Sequence, residues 1–284
     1  MTTAASHPVN EHALPGANLD PRKMPGHWLL ARLGKRVLRP GGIEMTRQLL
    51  STLAISSSDK VVEFAPGLGS TARMTLAKNP ASYTAVERDA TAATQVRHWL
   101  DQTDTKTSNR HVQTGQAQKT GLADACASVV YGEAMLSMQS EKAKREIISE
   151  AYRLLQPGGR YGIHELSVSP DDLPEEKLKQ ISDSITKAIN HRAVPLTGQG
   201  WEELFRSEGF EIEYRSTAPM ALLEPCRVVK DEGFLGLLRF LFRLLINPAA
   251  RSRVRMMRQT FQKNRDNLAA ICLVVRKPVA TSEK

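Results

Sequence analysis

The sequence predicts an α/β protein with a doubly wound, mostly parallel sheet, an antiparallel edge strand and helical lid segments. Three observations predict it. Short β-rich runs, KVVEF (60–64), SYTAVER (82–88), SVVYG (128–132) and RYGIHEL (160–166), alternate with helical patterns. That alternation implies the helical crossovers of a parallel sheet. A loop of small residues, APGLG (65–69), follows the first strand, where such sheets place their ligands. The last two strands, EIEYRS (211–216) and LAAICLVVRK (268–277), are split by a long helical insertion, which suits an antiparallel edge.

The elements follow in order. Residues 1–22 are rich in Pro, Asn, His and Ala with no apolar run of signal-peptide length, and read as a flexible tail. Residues 23–284 read as one domain. Its cap, 23–57, holds a helical segment GHWLLARLGKRVLRPGG (26–42) ended by Pro40-Gly41-Gly42, then a helix over 43–55. A helix from Ser70 ends at Asn79-Pro80, and another spans ATAATQVRHWLDQ (90–102). A short strand lies near RHVQTG (110–115). Ala143, Ile147, Ile148, Ala151 and Leu154 recur on one face of a helix over 141–155, which Gln156-Pro157-Gly158-Gly159 terminates. A charged helix over 172–190 and a helix in GWEELFRSEGF (200–210) come next. The insertion, about 221–266, carries Leu235, Leu238, Phe242 and Leu245 at helical spacing. It continues as RSRVRMMRQTFQKNR (251–265), with Val254, Met257 and Phe261 among the cations.

Composition narrows the class. The 39 Lys and Arg outnumber the 30 Asp and Glu; the resulting +9 reads first as the basic surface of a soluble enzyme and also admits anionic partners such as nucleic acid, lipid headgroups or acidic substrates. Aromatics are only 5%, which argues against a stacking platform for single strands. Cys126, Cys226 and Cys272 are scattered without zinc spacing, so a cytoplasmic protein with reduced thiols and no metal is expected. The greasiest run, 234–246, has 13 residues and contains Arg239 and Arg243, too short and too charged to span a bilayer.

The loop after the first strand carries the chemistry. Small residues let a ligand approach the backbone. In a dinucleotide fold the carboxylate Glu63 would sit near a pyrophosphate and repel it. A cationic ligand reverses the sign. A second carboxylate, Glu87, falls 18 residues after Gly69, where an acid would grip a ribose diol. Ribose, ammonium and no phosphate describe S-adenosylmethionine.

These residues resemble the class I S-adenosylmethionine-dependent methyltransferases, most nearly the branch with quinone-biosynthesis and small-molecule enzymes. The resemblance covers roughly residues 55–215. It rests on VVEFAPGLG (61–69), AVER (85–88), GQAQKTGLADACASVVYGEAM (115–135), EAYRLLQPGGRYGIHE (150–165) and PLTGQGWEELFRSEGFEIE (195–213). It implies cofactor contacts from Glu63, Ala65, Pro66, Gly67, Gly69, Glu87, Arg88, Gln116, Ala117 and Glu133. Ala65 stands in the first glycine place, Gln116 where an acid commonly holds the adenine amino group, and Ser128 where an Asp is common at the start of strand four. His164 and Glu133 are the catalytic candidates, His164 as a general base. Each also reads as a structural strand-end group. His27, Trp28 and His191 could touch a ligand or simply pack.

The expected activity is in-line methyl transfer to a small, apolar or lipid-like molecule. The alternatives are a nucleic-acid-modifying methyltransferase, which the missing Asn-Pro-Pro-Tyr signature argues against, and a non-catalytic cofactor-binding module. Residues 234–261 offer peripheral membrane contact.

Overall fold

A computed structural model describes residues 14–16, 18–103 and 109–279. Helices α1 (Gly26–Arg32) and α2 (Gly42–Thr52) precede a core of β1 (Lys60–Phe64), α3 (Ser70–Leu76), β2 (Ser82–Glu87), α4 (Ala90–Thr103), β3 (Arg110–Thr114) and β4 (Ala127–Glu133). After a short 3₁₀ turn, Leu136–Met138, come α5 (Glu141–Leu154), β5 (Leu155–Val168), α6 (Glu175–Ile189), β6 (Leu196–Thr197), α7 (Gly198–Ser207) and β7 (Glu211–Pro219). Helices α8 (Pro225–Leu245) and α9 (Pro248–Lys263) then lead to β8 (Leu268–Arg276).

The sheet runs β3-β2-β1-β4-β5-β8-β7, with β6 beside the end of β5. Strands β1 to β5 pair in parallel, while β8 is antiparallel to both β5 and β7. The expected antiparallel edge is therefore the β8–β7 ladder. Burial decides which of the two is outermost: Ala270–Val275 of β8 are fully buried, whereas β7 alternates between half-buried and exposed. A strand apolar on both faces belongs inside a covered sheet.

Strand periodicity sorts the two faces. Val62 and Phe64 of β1 join a core with Tyr161, Trp201 and Phe205 under α5 and α7. Val61, one residue out of phase, joins Leu49, Leu53, Ala72, Tyr83 and Tyr131 under α2, α3 and α4. A third cluster, with Leu29, Leu30, Ile185, Met257 and Phe261, packs α1, α6 and α9 together beyond the sheet.

Several sequence expectations shift. Most of the tail, 1–13 and 17, lies outside the described residues, but its end is tied down. Arg253 Nη1 donates to the carbonyls of Pro21, Arg22 and Met24 at 3.3, 2.7 and 3.4 Å. The 26–42 segment is helical only to Arg32, because Gly34 turns the chain at φ +102°. The 36 and 37 amides then donate to Glu232 Oε1 at 2.6 and 2.8 Å rather than to a helix. The long insertion helix is two helices. Asn247 Oδ1 accepts from the Ala250 N–H at 3.0 Å and Pro248 opens α9, a start signal that ends α8. No single helix among the described residues is long and apolar enough to cross a membrane.

Candidate active site

The sheet reverses its winding between β1 and β4, and a cavity of about 420 Å³ opens at the carboxyl ends of the strands beside that point. Its volume suits a small organic ligand. Its wall has two characters. On the β1–β2 side stand Ala65, Pro66, Gly67, Glu87, Arg88, Asp89, Gln116 and Ala117. On the β5 side stand Leu166, Ile185, Ile189, Met220, Leu222, Met257 and Phe261. The cap closes the cavity with His27, Trp28, Leu38, Arg39 and Pro40.

The loop after β1 is shaped by positive φ at Ala65 (+51°), Gly67 (+58°) and Gly69 (+74°). A Cβ on Gly67 would meet no protein atom within 4 Å, so it would project into open space rather than into packing. The Gly67 N–H points at Glu87 Oε2 at 3.0 Å, and the Asp89 N–H at Glu87 Oε1 at 2.9 Å. Both carboxylate oxygens are thus held on the cavity wall, and the loop amide that a phosphate would need is already engaged. Burial raises the Glu87 pKa, an effect those two amides partly offset. Gly69 does not line the cavity. Its amide closes a turn on the Pro66 carbonyl at 2.9 Å, and a Cβ there would press on Val96 at 3.3 Å. The missing side chain allows α3 to approach α4.

Glu63 is also displaced from its expected place. It points with Val61 into the layer under α2 and α3, is buried, and does not line the cavity. The hydroxyls of Tyr83 and Tyr131 both donate to its Oε2, the latter at 2.7 Å. Burial outweighs those hydrogen bonds and, with the Glu133 charge nearby, lifts its pKa to about 7.

Glu133 reaches the cavity at the tip of β4, but its oxygens are taken. Oε1 accepts from Thr46 Oγ1 at 2.6 Å and from His164 Nδ1 at 2.9 Å. Oε2 accepts from Thr71 Oγ1 and from Arg39 Nε at 2.8 Å. Burial alone would raise this carboxyl; the Arg39 guanidinium, His164 and Thr46 together bring it down to about 2. It is a permanent anion whose task is to hold the cap.

His164 is fully buried and absent from the cavity wall. Its Nε2 accepts from the Gly41 N–H at 2.9 Å, while Nδ1 faces Glu133. A ring with both nitrogens engaged in the protein interior cannot take a proton from a substrate. The expected general base is therefore a positioning residue that ties the Pro40-Gly41 turn to the strand tips.

Arg39 and the role of Glu165 escaped the sequence reading, and His27 and His191 acquire definite positions. Arg39 presents Nη1, buried and without a hydrogen-bond partner, while its Nε is held by Glu133. Arg39 as a residue lines the cavity, where a guanidinium would suit a ligand carboxylate. Glu165 collects the amides of Met135, Leu136 and Ser137 at 2.8, 2.7 and 3.0 Å, fixing the turn that carries Met135 and Met138 into the cavity. Its local signal was the carboxylate of "HEL", masked by the neighbouring histidine. His27 and His191 both line the mouth, their ring centroids 5.6 Å apart. Burial, then the His191 ring and Arg88, lowers His27 to about 4. Ser128, by contrast, lies at the opposite end of the sheet, donating to Asp59 at 2.7 Å, so its departure from the common Asp leaves the site untouched.

This donor set fits S-adenosylmethionine. Glu87 would accept from ribose hydroxyls, Gln116 would be a neutral partner for the adenine edge, the Arg39 guanidinium would seat the amino-acid carboxylate, and the Gly67 face is open to close approach.

The methyltransferase-domain family profile matches residues 61–159, which span β1 through the start of β5. A Haemophilus influenzae protein of uncharacterized function is 32% identical over 250 residues, covering 87% of this chain and 96% of its own. Among solved structures, MccD matches with a TM-score of 0.67 at 17% identity, covering 85% of this chain and 99% of its own. Haemonchus contortus phosphoethanolamine N-methyltransferase 2, solved with S-adenosyl-L-methionine, gives 0.66 at 15% identity over 89% of this chain and 57% of its own. The [4+2]-cyclase SpnF gives 0.66 at 15%, over 89% and 94%. At such identities the structures share the fold. The profile, falling on the strands and loops that build the cavity, goes further: the chain belongs to the class I S-adenosylmethionine-dependent methyltransferases.

Proposed function

We propose that the chain methylates a small, largely apolar or amphiphilic molecule held on the β5–α6–α9 side of the cavity. The carrying observation is the division of one cavity into a polar wall of Glu87, Asp89 and Gln116 and an apolar wall of Leu166, Ile185, Met220, Leu222, Met257 and Phe261. The polar wall suits the nucleoside, which leaves the apolar wall for the acceptor.

When bound, the sulfonium supplies an already activated methyl group. The protein's part is placement. Glu87 and Arg39 hold the two ends of the cofactor, and the apolar side chains exclude water from the acceptor. Orientation of this kind supplies up to roughly 7–11 kcal/mol of rate enhancement. The two strand-tip candidates offer no free base: Glu133 is saturated with donors and His164 is buried. His27, at about 4, is unprotonated at neutral pH and a weak base. The acceptor this site favours is therefore nucleophilic without help, such as a phenolate, thiolate, neutral amine or stabilised carbanion.

The test is incubation with methyl-labelled cofactor and a cell extract, followed by partition into organic, aqueous and RNA fractions and mass spectrometry. Label in an organic-soluble small molecule supports the reading. Label confined to RNA or to highly polar metabolites overturns it.

A further inference from the structure

We propose that the outer half of α8, with the corner it makes with α9, is a docking surface for an anionic lipid bilayer. Helix α8 breaks at Gly233, where φ is +77° and ψ 171°. Beyond the break, Phe234, Leu235, Leu238, Leu241, Phe242, Leu245 and Ile246 are between 46 and 78% exposed, and only Phe240 is buried. At about 100° per residue, the exposed residues of the helix share an arc of roughly 120°, the width of an ordinary buried stripe. Here none of the described residues covers it. Arg239 and Arg243 flank one side of the arc, and Phe240 points the opposite way, into the cap.

Charge selects the occupant. Residues 233–263 contain no Asp or Glu; Arg239, Arg251, Arg255, Arg258 and Lys263 are exposed, Arg243 is half-buried, and Arg253 is turned inward. The two acids just before the break are turned inward: Asp231 pairs with Lys35 at 2.9 Å, and Glu232 accepts the Arg36 and Val37 amides. A second copy of this face would bring like charges together around the apolar arc. A bilayer with anionic headgroups satisfies both features, taking the Phe and Leu side chains below the headgroups and the arginines among them. The segment lies on the surface rather than spanning it. This inference holds whatever molecule accepts the methyl group.

The experiment is co-sedimentation of the full chain with vesicles of phosphatidylcholine alone and of phosphatidylcholine with phosphatidylglycerol. Binding is expected to the anionic vesicles, weakening as salt rises. Leu235→Ser with Leu238→Ser and Phe242→Ser should reduce it at least tenfold, and Arg239→Gln with Arg251→Gln and Arg255→Gln should remove the preference for phosphatidylglycerol. Independently, Leu241→Trp in the otherwise native chain should be quenched by brominated lipids. No vesicle binding and no quenching would overturn the proposal. So would a wild-type dimer in sedimentation velocity that the serine variant dissociates, which assigns the face to a second copy.

Discussion

Glu63 offers a quantitative test, because its environment was built from two tyrosines on a single oxygen. Both hydroxyls donate to Oε2, so the amide oxygen of Glu63→Gln can accept both without moving either ring. The substitution therefore removes a titration and keeps the contacts. In the folded protein burial lifts the carboxyl from its ordinary 4.5 to about 7, which amounts to about 3 kcal/mol over the whole titration. The folded state holds this proton more tightly than the unfolded chain. The group's stabilisation is thus complete below pH 4.5, declines as pH rises, and is lost once pH passes 7. Urea denaturation at pH 5, 6, 7 and 8, for wild type and Glu63→Gln, measures the difference. The stability of wild type relative to the variant should fall by about 2.5 kcal/mol from pH 5 to 8, the rest of the change lying below pH 5. Other titrating groups are common to both proteins and cancel. Parallel curves over that range would mean that Glu63 is already ionised when folded, and the account of its burial would be wrong.

Glu87→Gln should weaken cofactor binding by about 1–3 kcal/mol, the scale of a hydrogen bond to a charged group, measured by titration calorimetry. Arg39→Lys keeps a cation for Glu133 but loses the guanidinium fork, so cofactor affinity should fall roughly tenfold or more while affinity for a decarboxylated analogue changes little. His164→Asn should lower stability by about 1–3 kcal/mol through loss of buried hydrogen bonds, yet leave the shape of the pH–rate profile unchanged; loss of its acidic limb would restore His164 as the base. Glu133 acts in the opposite pH direction to Glu63. Its pKa of about 2 lies below the ordinary 4.5 of a glutamate, so its stabilisation is present above pH 4.5 and lost as pH falls toward 2, and Glu63→Gln should keep this acid-side decline in denaturation curves.

The sheet was legible because its signals are local. Strand runs, the Asn79-Pro80 stop, the Pro157-Gly158-Gly159 turn and the 18-residue spacing to Glu87 can each be read within a short window. The polar half of the cavity was legible for the same reason: Ala65, Pro66, Gly67, Glu87, Arg88, Gln116 and Ala117 all line it. The cluster around Glu133 was not. Its partners Thr46, Thr71, Arg39 and His164 come from separate parts of the chain, and no spacing rule joins them. A strand-end histidine looks the same in sequence whether its nitrogens face water or a Gly41 amide. Glu63 could have been placed better. It shares the phase of Val61 in a strand covered on both faces, and so points into a layer rather than toward the strand tip. The dipeptide Arg39-Pro40 before two glycines was read as a helix stop, when its arginine is the cap's contribution to the site.

The cap and the insertion form one mechanical unit, and the distribution of acids shows how. Taking Lys35 and Asp231 fully out of water is costly unless the spare valences are used. They are: Asp231 Oδ1 accepts the Ile43 N–H at 3.0 Å, and Glu232 takes the two amides beside Lys35. The cap is thus bound to the strand tips through Arg39–Glu133 and Gly41–His164, and to the insertion through Asp231 and Glu232. Gly233 comes immediately after the second clamp, in a backbone conformation that L side chains rarely adopt and with open space where a Cβ would stand. The break therefore divides α8 into an inner half that holds the cavity's wall and an outer half that bears the exposed apolar arc. The outer half is also tied back to the cap, through Phe240 in the cluster with Leu29 and Leu30 and through Arg243 Nη1 donating to the Arg32 carbonyl at 3.1 Å, so a surface engaged there touches the same cap that positions Arg39.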